Sequence, residues 1–182
     1  VYKRQNENIL TEYFLDHITD SKTRAFILNY YLDSFKGTLF RQTQFAVFEQ
    51  FLHEADAKGE PLTADTLDDV YGQINQHYYG DSVEPGGDIA LEWSRIPHFY
   101  YNFYVYQYAT GFAAATALAN KVVHGTPAER DAYLGFLKAG SSDYPTEIMK
   151  RAGVDMTKPD YLEDAFKTFE KRLNEFESLI EK

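Results

Sequence analysis

The 182-residue sequence contains no cysteine, which excludes a disulfide framework and any thiolate metal site. It is also short of positive charge: 18 Lys and Arg stand against 28 Asp and Glu, a formal net charge of −10. Nucleic acid and anionic membrane both need a basic face, so neither is expected as a partner. The N-terminus lacks the apolar h-region of a signal peptide. No strand ladder, internal repeat or low-complexity tract is visible. From Ile96 to Asn120 there is no Asp, Glu, Lys or Arg, a stretch long enough to span a bilayer. It nevertheless holds His98, Asn102, Gln107 and five tyrosines, and tyrosine prefers the membrane interface to its centre. A buried helix within a soluble domain is therefore expected there.

Several chemistries are missing as well. No Gly-rich phosphate loop opens a helix after a strand, and without cysteine there is no Cys/His nucleophile pair. Di-iron bundles need Glu-x-x-His pairs on facing helices, and none of the five histidines has a glutamate three residues before it. His53-Glu54 is half of a zincin helix motif, but position 57 is alanine where the second histidine is required. His53 and Glu54 therefore read as a solvated helix end. Nothing here binds a catalytic metal by itself.

What the chain does have is hydrophobic and aromatic residues, 44% and 16% respectively, enough for a core. Its length suits one ordinary domain or part of a larger one. The patterning predicts an all-α fold. Residues 6–18 carry apolar groups near helical period. Asp20 or Ser21 caps a second helix that continues through Leu52, with Gly37 as a bend. "AKGEPLT" ends it, and Thr63 caps another helix to about Tyr79. "GDSVEPGGD", residues 80–88, reads as a loop. "TPAE" at Thr126–Glu129 is a capping box with proline at the first helical position. A short helix follows "SSDYP". In the last helix Leu162, Phe166, Phe169, Leu173, Phe176 and Ile180 form a seam that needs a partner helix.

The stretch "IPHFYYNFYVYQYATG" stands apart. Phe99, Tyr100, Tyr101, Phe103, Tyr104, Tyr106 and Tyr108 place seven rings in ten residues, five with hydroxyls, directly after His98. The small residues of "ATGFAAATALA" let a neighbouring helix approach closely. Buried tyrosine hydroxyls must find partners, and a phenol of ordinary pKa near 10 stays protonated and can donate to an oxyanion. A tyrosine-rich core and a set of donors are both consistent with this pattern, and the pattern alone shows no electrophile.

"FRQTQFAVFEQ" at residues 40–50, "GEPLT" at 59–63 and "IPHFYYNFYVYQYATG" occur in the order and spacing of a known family. The chain from Asn6 to Lys182 resembles the C-terminal part of oligoendopeptidase F, a branch of the thimet-oligopeptidase-like zinc metallopeptidases. The resemblance implies the C-terminal helical portion of a zincin-type, mostly helical metallopeptidase. In such enzymes an HExxH helix and a downstream glutamate hold Zn2+, which activates water and polarises the scissile carbonyl. A histidine and tyrosines from the C-terminal half bind substrate and stabilise the gem-diolate. Those donors fall on His98 and on Tyr106, with Tyr104 still open, while Tyr101 and Tyr108 are expected to contact substrate. Glu7 is at most an orienting group near the metal helix.

The sequence has no HExxH, so the zinc ligands are expected upstream and none within this chain. "VYKRQ", residues 1–5, matches one reading frame of a common sequencing-library transposon adapter and is expected to be a cloning or assembly scar. Residues 6–182 then form a single all-helical segment, truncated at its N-terminus and inactive alone. Expected partners are oligopeptide substrates and the missing N-terminal half of the same polypeptide, in the cytoplasm. A non-catalytic helical module that binds peptides, or a purely structural helical half, are the alternatives.

Overall fold

The computed structural model describes residues 2–82 and 87–181. All regular structure among them is helical, as the patterning predicts, and contains no strand. Eight α-helices are present among the described residues: α1 Tyr2–His17, α2 Ser21–Phe35, α3 Arg41–Ala57, α4 Ala64–Tyr79, α5 Tyr106–His124, α6 Pro127–Ala139, α7 Pro145–Arg151 and α8 Asp160–Ile180. None of the described helices is long and apolar enough to cross a membrane.

Local sequence sets three of the helix starts. Asp20 caps α2, its side chain accepting the Thr23 N–H at 2.8 Å. Thr63 caps α4 in the same way through the Thr66 N–H. The predicted box before α6 forms in both directions: Thr126 accepts from the Glu129 N–H, and Glu129 accepts from the Thr126 N–H at 2.8 Å. Such caps satisfy amides that the first helical turn leaves without partners. The bend expected at Gly37 takes the form of a π-helical turn, Lys36–Phe40, between α2 and α3. The predicted loop at 80–88 contains the 3₁₀ turn Gly80–Ser82 and the start of a 3₁₀ segment, Gly87–Arg95; its residues 83–86 lie outside the described ones.

The helices divide into two compact units, one of residues 1–36 with 110–182 and the other of residues 37–109. In the first unit, Phe112 through Ala119 are all buried. The small side chains expected to admit a close neighbour do line the interior. Phe35 of α2 packs edge-on to Phe112 at 5.4 Å and against Phe169 of α8 at 4.6 Å. The partner of the α8 seam is thus α2. The fully buried positions of α8 are Tyr161, Ala165 and Arg172 rather than the seam itself, and Phe166 and Ile180 stay exposed. Ala165 permits close approach, and Arg172 is tolerated inside because Glu12 and Glu175 neutralise it. Glu12 also lies 3.4 Å from His124 Nε2.

The second unit has an aromatic core. Phe45, Phe48, Leu67, Tyr71, Ile96 and Val105 form its buried centre, flanked by Trp93 and Phe99. Phe48 meets Tyr71 edge-on at 5.1 Å and Phe99 at 5.2 Å, the geometries that ring quadrupoles favour.

Candidate functional site

The site lies in the second unit and begins with the 3₁₀ segment Gly87–Arg95, which two anchors hold to α3 and α4. Buried Glu92 accepts the Tyr71 O–H at 2.7 Å and pairs with Arg41 and Arg95. Burial pushes its carboxyl up, but the Tyr71 hydrogen bond and the two guanidinium groups outweigh that and hold it below the usual range. Tyr71 is driven upward, first by burial and then by donating to Glu92. Trp93 Nε1 donates to Asp68 at 2.7 Å. Ile96 follows, buried and extended as a residue before proline prefers. Pro97 then opens a single 3₁₀ turn, Pro97–Tyr100, that carries His98.

The next residues correct the expectation of one buried helix from Ile96. The chain leaves the 3₁₀ turn, passes through Asn102 at φ 50° and Phe103 at φ 60°, and becomes α-helical only at Tyr106. Left-handed backbone costs an L-residue about 1–2 kcal/mol, so two in succession need support from outside the turn. That support comes from α3. Glu49, only 1% exposed, accepts the Phe103 N–H at 2.8 Å. His53, one turn further along the same helix face, stacks on the Phe103 ring at 4.1 Å. Val105 plugs the core at 0% exposure.

The consequence is that the tyrosines face outward. Tyr100, Tyr101, Tyr104, Tyr106 and Tyr108 are all exposed, which overturns the tyrosine-rich core as an account of this stretch. Four rings gather at one place. His98 lies 5.8 Å from Tyr101, 6.0 Å from Tyr104 in a stacked arrangement, and 5.8 Å from Tyr108. Tyr104 meets Tyr101 and Tyr108 edge-on at 6.2 and 5.5 Å. The Tyr108 hydroxyl sits 3.3 Å from His98 Nε2. Its hydrogen bond with Tyr104, followed by burial and the neighbouring phenol's charge, raises the Tyr108 pKa, so Tyr108 keeps its proton.

A sequence profile of peptidase family M3 matches residues 4–168. The chain belongs to peptidase family M3. It is 59% identical over 177 residues to oligoendopeptidase F, chromosomal, of Lactococcus lactis subsp. cremoris, covering 97% of this chain and 29% of that protein. Oligopeptidase PepF of Bacillus subtilis (strain 168) is 53% identical over 178 residues, covering 97% of this chain and 26% of its own length. The crystal structure of oligoendopeptidase-F from Enterococcus faecium superposes with a TM-score of 0.95 at 60% identity, over 98% of this chain and 34% of that one. The chain therefore spans about a third or less of the relatives it matches, and is a fragment of that type of polypeptide.

Within this M3 segment the structure brings together His98, Tyr101, Tyr104 and Tyr108. Tyr106 opens α5, two residues before Tyr108, a spacing at which helical side chains do not face each other. Glu7 lies in the other unit, on α1, exposed and paired with Arg4 at 2.9 Å. Glu54 is exposed and accepts from Gln50. His53 is half-buried against Phe103, which corrects its reading as a solvated helix end. Sequence reasoning also missed Glu49, whose one available signal was a lone acid between Phe45, Phe48 and Phe51. For the zinc implied by the resemblance, the residues present do not fit. No group of three or more His, Asp or Glu among the described residues is placed to hold a metal ion.

Proposed function

We propose that the whole polypeptide hydrolyses internal peptide bonds of oligopeptides, and that this chain supplies one wall of its active site. The names carried by its relatives, oligoendopeptidase F and oligopeptidase, support that reading. So does the exposed His98–tyrosine wall, the observation that carries it. Phenol and imidazole N–H or O–H groups on an ordered surface suit a peptide carbonyl and the oxyanion it becomes. Tyr106 is the oxyanion donor in this reading and His98 a second donor, with Tyr104 the alternative to Tyr106. Tyr101 and Tyr108 contact the substrate, Tyr108 as a protonated hydrogen-bond donor. Zinc belongs to the reading as an ion held outside this chain, with Glu7 as an orienting group at most. Handling of short peptides fits the cytoplasm, and the remainder of the same polypeptide is the partner that completes the cleft.

The test is made in the full-length protein. Tyr106→Phe should lower kcat by about 10²–10³ with little change in KM, as expected for loss of one oxyanion donor. Loss in Tyr104→Phe but not in Tyr106→Phe moves the role to Tyr104; an unchanged rate in both, measured with a quenched peptide, removes the tyrosine assignment. The chain alone should not cleave that peptide, and zinc-dependent cleavage by it would refute its dependence on the rest of the polypeptide.

A further inference from the structure

The tyrosine wall depends on a backbone turn that its own residues do not favour. Asn102 and Phe103 are consecutive left-handed residues and neither is glycine. Tyr101 and Tyr104 flank them, so their ring positions follow directly from the φ values of this pair. The turn's amide and its ring are both held by one face of α3. The Glu49 carboxylate, 54 residues away in sequence, accepts the Phe103 N–H at 2.8 Å, and His53 stacks on the Phe103 ring at 4.1 Å. A carboxylate buried to 1% exposure is costly unless its hydrogen bonds are made. Unlike Glu92, which sits among two arginines and a tyrosine, Glu49 is assigned here to a backbone amide.

We infer that Glu49, aided by His53, is a positioning residue for peptide hydrolysis: it holds the Asn102–Phe103 turn in the left-handed conformation that sets Tyr101 and Tyr104 beside His98. This rests on the proposed function. Glu49 touches no reacting atom in this role; it acts through Phe103. The rigid helix beneath Glu49 gives the precision that catalytic groups require.

The experiment uses the full-length protein and four variants. Glu49→Leu should leave the Phe103 amide unprotected in hydrogen exchange of the 99–105 segment. It should also lower kcat about 10- to 100-fold with KM within about threefold, the cost that small misplacements of catalytic groups carry. Glu49→Gln retains an acceptor oxygen and should recover most of that loss and of the protection. His53→Ala removes only the ring stack and should cost a few-fold in kcat while the fold, followed by circular dichroism, is kept. If Glu49→Leu does not fold, the Gln and Ala variants decide: a Gln variant as slow as a His98→Ala control, or an Ala variant indistinguishable from wild type, overturns the inference. Retained kcat in Glu49→Leu alongside a slow His98→Ala also overturns it, leaving the functional reading intact. Full activity in His98→Ala instead removes the functional reading, and the positioning role falls with it.

Discussion

Residues 100–108 and 112–119 belong to one run without Asp, Glu, Lys or Arg, yet they meet opposite fates. Every residue from Phe112 to Ala119 is buried, whereas five tyrosines between Tyr100 and Tyr108 are exposed. Lack of charge therefore does not decide burial. Side-chain size and backbone shape do: alanines admit close helix packing, while the 3₁₀ turn and the left-handed pair turn the large rings outward. The three acid-centred clusters differ in a related way. Glu12 and Glu92 each neutralise buried or half-buried arginine and hold elements together. Glu49 holds a shape.

The comparison can be broken most severely at Arg172. Arg172→Ala in the full-length protein leaves Glu12 buried without its arginine, and about 3–5 kcal/mol of stability should be lost. Denaturant unfolding reads this directly, and a change under 1 kcal/mol would show that Glu12 finds another partner. Next comes Tyr106→Phe, whose expected 10²–10³ loss in kcat equals about 2.7–4 kcal/mol of transition-state stabilisation. Its melting temperature should stay near that of wild type, as expected where an exposed side chain is changed. Ala115→Leu, at 0% exposure, should cost about 1–3 kcal/mol through overpacking, with kcat per folded molecule unchanged. Thr126→Ala should cost about 1 kcal/mol by removing the α6 cap.

A further prediction concerns acid. Because the Glu92 carboxyl sits below its ordinary value, its contribution to stability is fully present above the unfolded-state pKa and is lost as pH falls through the folded one. Stability should therefore decline below about pH 4.5, and Glu92→Gln should flatten that slope. An identical acid profile in the variant would remove Glu92 from the account. The smallest effect is expected at Tyr100, 84% exposed, where Tyr100→Ala should change stability by less than about 0.5 kcal/mol.

The parts of the fold that were legible in the sequence are those governed by neighbours in the chain. Asp20, Thr63 and Thr126 bond to amides three residues away, so their type and spacing announce the caps. The run 96–105 departs from the expected helix because what shapes it is not local. Glu49 and His53 act on Phe103 from α3, and the interaction of Glu92 with Arg41 spans 51 residues. The α8 seam was visible as a period, but the seating of Arg172 depends on Glu12 at the other end of the chain. His98 was conspicuous only because rings crowd around it. Nothing in spacing alone distinguished rings that pack from rings that face outward.

The turn at Asn102–Phe103 has one more consequence. Exposed loop tips are where proteases nick folded chains, and this one is rich in aromatic side chains. A scissile segment has to be drawn out straight to enter a cleft. Two left-handed residues tethered to buried Glu49 keep this one coiled, so the segment should resist nicking despite its exposure.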